Sequence, residues 1–497
     1  MIDQSPSPDV STFRLRAGTA RLIPVWRRII ADLDTPLTLF CKLIGGREEF
    51  FLFESMEGGE KWGRYSFIGI DPILSISSHN RKISVNRLTP QGRVSDEYDG
   101  HPYQELRRIL GEFRAFNDPE LPRFCGGMVG YLGYDMVRFF EDLPAQNEAG
   151  DAPDMGFMVP GMVLVHDSLK QELVVVDWVD TAGLPSLEAG YNQSVARIEQ
   201  AIAALRAPTP LAEAHLDGGH EEISLTSNLS APQFHDMVER AKEYIRAGDI
   251  FQVVLSQRFG ATIGADPLTI YRALRHTNPS PYLFYLKCGD LVQIGSSPEI
   301  LVRKENESIE VRPIAGTRPR GATPERDRAL EEELLADPKE RSEHLMLVDL
   351  GRNDIGRVAR GGSVEVRDLL VIERYSHVMH IVSGVHGLID PDYDQFDVLA
   401  ACFPAGTLSG APKIRAMEII EELEPCRRGP YGGAVGYFGF SGNMDFCITI
   451  RTIFIRGDDV WMQAGAGIVA DSDPRREYEE TVNKSMALHR ALELAGG

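Results

Sequence analysis

Of the 497 residues, 43% are hydrophobic and 25% charged, a composition that can bury a large core and fits about two or three domains. The 52 basic and 73 acidic side chains leave a formal charge of −21, which argues against a nucleic-acid or anionic-membrane partner, because both need clustered cations. The polar opening "MIDQSPSPDV" lacks the basic stretch and apolar run of a secretory signal, no apolar run nears a membrane span, and the six cysteines have no C-x-x-C or zinc-type spacing, so a reducing cytoplasmic setting without disulfides or structural zinc is expected.

In chain order, "FFLFES", "YSFIGI", "KISVNRL" and "MVLVHD", with turn residues between them, predict a β-rich region carrying a few helices over residues 1–205. Residues 206–222, "RAPTPLAEAHLDGGHEE", break the periodicity and form the expected linker to a second domain at 223–497. There, "SAPQFHDMVERAKEYIRAGD" predicts a helix: Ser230 and Gln233 stand at capping-box spacing, Phe234, Val238, Ala241 and Ile245 make one stripe, and Gly248 stops it. Period-two runs follow in "IFQVVLSQRF", "YLFYLK", "DLVQIGSS", "IEVRPI", "YGGAVGYFGF", "CITIRTIFI" and "VWMQAGAGI", with helices expected at 324–336, 338–351, 411–424 and 474–495. Many antiparallel-type strands with segregated helices indicate an α+β fold, and the absence of a P-loop or a G-x-G-x-x-G after a strand leaves nucleotide binding unsupported.

Two acidic stretches stand out. In "DSDPRREYEETVNK" helical spacing puts Glu477, Glu480 and Lys484 on one side and Tyr478, Val482 and Met486 on an apolar stripe. In "DPKERSEHLMLVDLGRND" Glu340 and Glu343 have the same three-residue spacing, although Asp337 and Glu340 also suit a capping box. Such faces are often plain solvated surface. Two remote helices that each offer a carboxylate also suit a hard divalent cation that keeps water and binds an anionic ligand, in the manner of magnesium. An anionic substrate of a chain charged −21 would need such a local remedy, or a buried Arg or Lys.

Taken together, "IFQVVLSQRF", "GSSPEILV", "PIAGTRPRG", "KERSEHLMLVDLGRND", "YSHVMHIVSG", "GTLSGAPK", "YGGAVGY" and "DSDPRREYEETVNK", in order over residues 250–484, resemble the chorismate-utilising enzymes, most of all their anthranilate synthase large subunits. The resemblance extends upstream through "FLFESMEGGEKWGRYSFIG". It implies antiparallel β-sheets packed in a sandwich-like core with helices outside, a regulatory domain before the linker and a chorismate-binding catalytic domain after it. The implied reaction adds ammonia to chorismate at C2, expels the C4 hydroxyl and eliminates pyruvate to leave anthranilate. By the same resemblance Glu343 and Glu480 bind Mg2+, with Glu340 and Glu477 as acidic neighbours, and Glu299 of "SSPEI" is the general acid. A poor leaving group such as hydroxyl needs that proton. Gln252 takes the place where relatives that add water carry a lysine base. His380 is a ring-side histidine, Gly316 and Thr317 belong to a closing loop, and Arg451, Tyr431, Lys484 and the backbone of Gly465, Ala466 and Gly467 receive the enolpyruvyl carboxylate. The Arg fork suits a carboxylate and glycines admit close approach.

Ala315 stands where aminodeoxychorismate synthases commonly carry a nucleophilic lysine, so direct ammonia addition is the expected branch; an aminodeoxyisochorismate synthase, which retains pyruvate, and a catalytically silent tryptophan-sensing homologue are the alternatives. No cysteine has the G-x-C-x-G setting of a glutamine amidotransferase, so a separate glutamine-hydrolysing subunit is implied, in a heterotetramer of two large and two small subunits. Tryptophan inhibition is implied too, at a pocket formed by Glu54, Ser55, Pro281, Tyr282, Leu283, Val435, Tyr437 and Cys447.

Overall fold

A computed structural model describes residues 5–55, 63–89, 92–148, 150–210, 223–375 and 378–495. Most of the expected linker, residues 211–222, and the upstream stretch 56–62 lie outside the described residues.

The fold is α+β, built on a network of 22 hydrogen-bonded strands among the described residues. Strand alternation explains its layering. Phe50 and Leu52 face one core and Phe51 the other; Ile68, Leu164 and Val175 share a side, as do Phe67, Val165 and Val176. One core is shared by strands and helices Pro102–Glu112 and Gln395–Cys402, and the other lies under helices Pro36–Leu43, Leu187–Leu205, Pro267–Thr277 and Pro474–Ala495. Strands from before and after the linker pair with each other: Phe50–Glu54 with Tyr282–Cys288, and Gly127–Leu132 with Ala434–Gly439.

Helix Ala231–Ala247 has the expected capping box, and Gly248 ends it at φ 85°, where a Cβ would be strained. Helix Pro338–Gly356 runs five residues past the expected end at 351, and Lys413–Leu423 starts after Pro412, its N-cap residue. On Pro474–Ala495 the buried stripe is Thr481, Ser485, Leu488, Ala491 and Leu492; Met486, expected to be apolar core, is half exposed.

The most consequential departure is in "CITIRTIFI", which is two strands, Met444–Ile448 and Thr452–Arg456. The first pairs with Ile300–Glu305 and the second with Leu291–Ser297, so both partners break at the same level, at 298–299 and at 449–451. Backbone bonds tie the two breaks together: Ile448 N donates to Glu299 O at 3.0 Å, and Ser296 N donates to Arg451 O at 3.1 Å. Arg451 takes φ 49° there, an uncommon conformation for a residue with a Cβ. The corner turns Glu299 and Arg451 out of the sheet and into one cavity.

Candidate active site

The cavity has a volume of about 620 Å³ and is lined by Gln252, Glu299, Gly316, Thr317, His380, Tyr431, Arg451, Gly465, Gly467 and Lys484, together with Glu340, Glu343, Glu477 and Glu480. Ala466 is the one predicted site residue outside this lining: its methyl group packs under helix Ala231–Ala247, because neighbours on a strand face opposite sides. At the two glycines beside it space is close. A Cβ on Gly467 would lie 2.5 Å from Gln252 Nε2, and one on Gly465 would lie 3.0 Å from both Tyr431 Oη and Leu255 O.

One end of the cavity holds a solitary carboxyl group. Glu299 is buried and accepts a 3.0 Å hydrogen bond from Thr407 Oγ1. Burial pushes its pKa up to about 8, against the opposing pull of the Thr407 bond and of the Arg451 and Lys484 charges. It is therefore largely protonated at neutral pH. His380, also buried, accommodates a lowered pKa through desolvation and the nearby Arg451 charge, so its imidazole is neutral. Its Nδ1 lies 3.0 Å from the Gly316 carbonyl, which can only accept, so Nδ1 carries the hydrogen and Nε2 keeps its lone pair.

The other end gathers acid. The pKa of Glu343 is raised by burial and by the Glu340 and Glu480 carboxylates, and that of Glu477 by burial and Glu480. Glu343 and Glu480, from two remote helices, thus face one space. Lys484 Nζ lies 2.7 Å from Glu480 Oε1 and donates to Gly465 O at 3.0 Å, while Glu340 is held by Arg318 at 3.1 Å. Among the described residues no three His, Cys, Asp or Glu side chains enclose a metal position. The donor set fits a cation held by one or two carboxylates and otherwise by water and ligand oxygens, which is how magnesium binds, and the mutual repulsion within the cluster favours such an ion.

Gln252 sits between the two ends. Its Nε2 is 3.5 Å from Glu343 Oε1, and its buried Oε1 has no partner. Ala315 presents a methyl group to the cavity, and Gly316, at φ 67°, is closely surrounded: a Cβ there would sit 3.1 Å from Leu334 Cδ1 and 3.2 Å from Glu340 Oε2.

Sequence reasoning missed the platform beneath. Arg428 is fully buried; it bonds Glu424 through Nε and Nη2, Leu408 O at 2.6 Å and Val254 O at 2.7 Å, while Glu424 accepts from Ser256 N and Oγ, each at 2.8 Å. One ion pair thereby fixes the strand of Gln252 against the turn of Thr407. The i,i+4 spacing of Glu424 and Arg428 was the available signal, but it is the spacing of any surface helix pair.

A second, smaller pocket of about 60 Å³ brings together all eight residues expected at the tryptophan site, Glu54, Ser55, Pro281, Tyr282, Leu283, Val435, Tyr437 and Cys447. Its walls also carry Phe67, Arg123, Arg303 and Asp445. Tyr282 Oη donates to Asp445 at 2.9 Å, and Arg275 and Tyr271 bond the Glu54 carboxylate.

Comparison with known proteins gives a consistent picture. The family model for chorismate binding enzyme matches residues 48–490. The chain is 50% identical over 495 residues to anthranilate synthase component 1 of Acetivibrio thermocellus, covering 98% of this chain and 99% of that protein. The crystal structure of anthranilate synthase component I from Streptococcus pneumoniae superposes with a TM-score of 0.77 at 37% identity, over 93% of this chain and 99% of that one. The menaquinone-specific isochorismate synthase of Escherichia coli, at 20% identity and a TM-score of 0.70 over 97% of this chain and 98% of that one, shares the fold.

Proposed function

The chain belongs to the chorismate-binding enzymes, in their anthranilate synthase component 1 group, and on that footing we propose that it makes anthranilate from chorismate and ammonia and is inhibited by tryptophan. The observation that carries the chemistry is the cavity itself: a buried Glu299 with a raised pKa at one end, an only partly compensated acidic cluster at the other, and no amine at 252 or 315.

Arg451 and Lys484 suit the enolpyruvyl carboxylate, with the Gly465 and Gly467 backbone admitting close approach. Glu343 and Glu480, supported by Glu340 and Glu477, would hold a magnesium ion, which when bound withdraws electron density through the ring carboxylate and fixes the ring. The unpartnered Gln252 Oε1 is an acceptor for an N–H of ammonia, a nucleophile that needs no base once it is unprotonated. As the C2–N bond forms, Glu299 gives its proton to the departing C4 hydroxyl, which leaves as water. The neutral His380, with its lone pair on Nε2, suits removal of the C2 proton as the ether C–O bond breaks and pyruvate leaves. Water adders need a base at position 252; an amide there favours the amine.

Ammonia would come from a separate glutamine-hydrolysing subunit, consistent with the component 1 name of the relatives. Purified chain supplied with chorismate, magnesium and excess ammonium at alkaline pH should form fluorescent anthranilate and pyruvate in equal amounts. Accumulation of a non-aromatic amine without pyruvate would show the non-eliminating reaction, and no consumption of chorismate would show a silent homologue.

A further inference from the structure

The reaction cavity does not end at the reacting groups. A second cavity of about 550 Å³ adjoins it, and Pro298, Val378, His380, Arg451, Glu480 and Lys484 line both. Its outer part has two walls: Arg476 and Asn483, on one side of helix Pro474–Ala495, and the turn of Asn278, Pro279 and Ser280 after helix Pro267–Thr277. The carboxylates on this wall are already engaged, Glu479 by Arg475 at 2.8 Å and Glu480 by Lys484 at 2.7 Å. Arg476 is exposed, and among the described residues its guanidinium has no ion pair.

We propose that this vestibule is an anion-binding antechamber: a carboxylate-bearing substrate docks on Arg476 and is then passed inward past Arg451 and Lys484, and the carboxylate products leave the same way. The inference rests on the reading of the inner cavity as the site of a dianionic substrate. A chain charged −21 repels such a molecule at a distance, and cations gathered at a concave mouth are what reverse that field locally. Neutral ammonia gains nothing from these groups and ammonium is repelled by them, so the route is assigned to the carboxylates and the amine enters elsewhere.

The test is steady-state kinetics of Arg476→Glu and Arg476→Gln with saturating ammonium, at about 20 mM and about 500 mM salt. In R476E the loss should fall on kcat/KM for chorismate, about fivefold at low salt and nearly abolished at high salt, because an exposed charge is screened. In R476Q, which removes the charge without reversing it, a smaller loss of about twofold should appear at low salt and vanish at high salt. Unchanged kcat/KM for chorismate in both variants overturns the proposal, as does an effect confined to ammonium. Calorimetric titration of benzoate, a bare aromatic carboxylate, separates the two readings. If the wild type fails to consume chorismate yet benzoate affinity falls in R476E, the reaction assignment fails and the antechamber stands; equal affinity in both proteins removes the antechamber.

Discussion

The two ends of the reaction cavity contain the same functional group under opposite constraints. Glu299 stands alone, and burial is the main cause of its raised pKa; Glu343 has like charges for company as well as burial. The protein satisfies the first without help, since a neutral carboxylic acid with one hydroxyl partner is stable in a buried corner. It leaves the second unbalanced, with Arg318 on Glu340 and Lys484 on Glu480 as partial compensation. On the proposed reading, the carboxyl that gives a proton is isolated, and the carboxylates that hold a cation are crowded. The difference is a division between chemistry the chain completes and chemistry it leaves to a ligand.

Removing the isolated acid should have the largest effect. Glu299→Gln keeps the shape and loses the proton, so kcat for anthranilate formation should fall about a thousandfold while chorismate binding changes little. The same variant carries a stability signature. Because the folded-state pKa of Glu299 is raised from 4.5 to about 8, the folded chain keeps that proton longer than the unfolded chain does. The resulting stability is complete below the unfolded value and is lost as pH climbs to about 8, so Tm of the wild type should drop over that window and Tm of E299Q should drop less.

At the crowded end the loss should be repairable. Glu343→Gln should weaken magnesium activation by about tenfold or more, with part of the rate recovered at high magnesium, because one ligand and one repulsive charge are removed together. Equal loss at all magnesium concentrations would erase the distinction between the two ends. A smaller change is expected from Ser55→Phe, which fills the second pocket: tryptophan inhibition should vanish while turnover stays within about twofold. Inhibition that survives would detach that pocket from tryptophan. Smallest is Thr407→Val. The Thr407 bond favours the charged form of Glu299, so its removal should move the alkaline limb of kcat/KM to higher pH by a fraction of a unit, and Thr407→Ser should restore it.

Much of this arrangement was legible in the sequence, for reasons that separate local from non-local information. The capping box at Ser230, the αL stop at Gly248 and the i,i+3 spacing of Glu477 and Glu480 are local chemistry and appear as expected. The resemblance singled out residues such as Gln252 and Arg451, whose pattern alone is ordinary and which line the one cavity. What stayed hidden depends on partners distant in the chain. Nothing within "CITIRTIFI" signals a break at 449–451; it exists because the partner strand breaks at Pro298 and Glu299, about 150 residues earlier in the chain. Thr407 and the buried Arg428–Glu424 pair were missed for the same reason, since a hydroxyl in a turn and an i,i+4 ion pair reveal their burial only in three dimensions. The expected stripe of Tyr478, Val482 and Met486 lies beside the buried one: Tyr478 and Val482 are half-buried and Met486 is half exposed, while the buried face runs through Thr481, Ser485 and Leu488.

The central claim, that Glu299 waits in its protonated form, can be read directly by carbon-13 NMR of glutamate carboxyl groups titrated in the resting chain, with E299Q to assign the resonance. The account predicts a midpoint of about 8 for that carboxyl. A midpoint in the ordinary glutamate range of about 4 to 5 would contradict it and leave the departing hydroxyl without its acid.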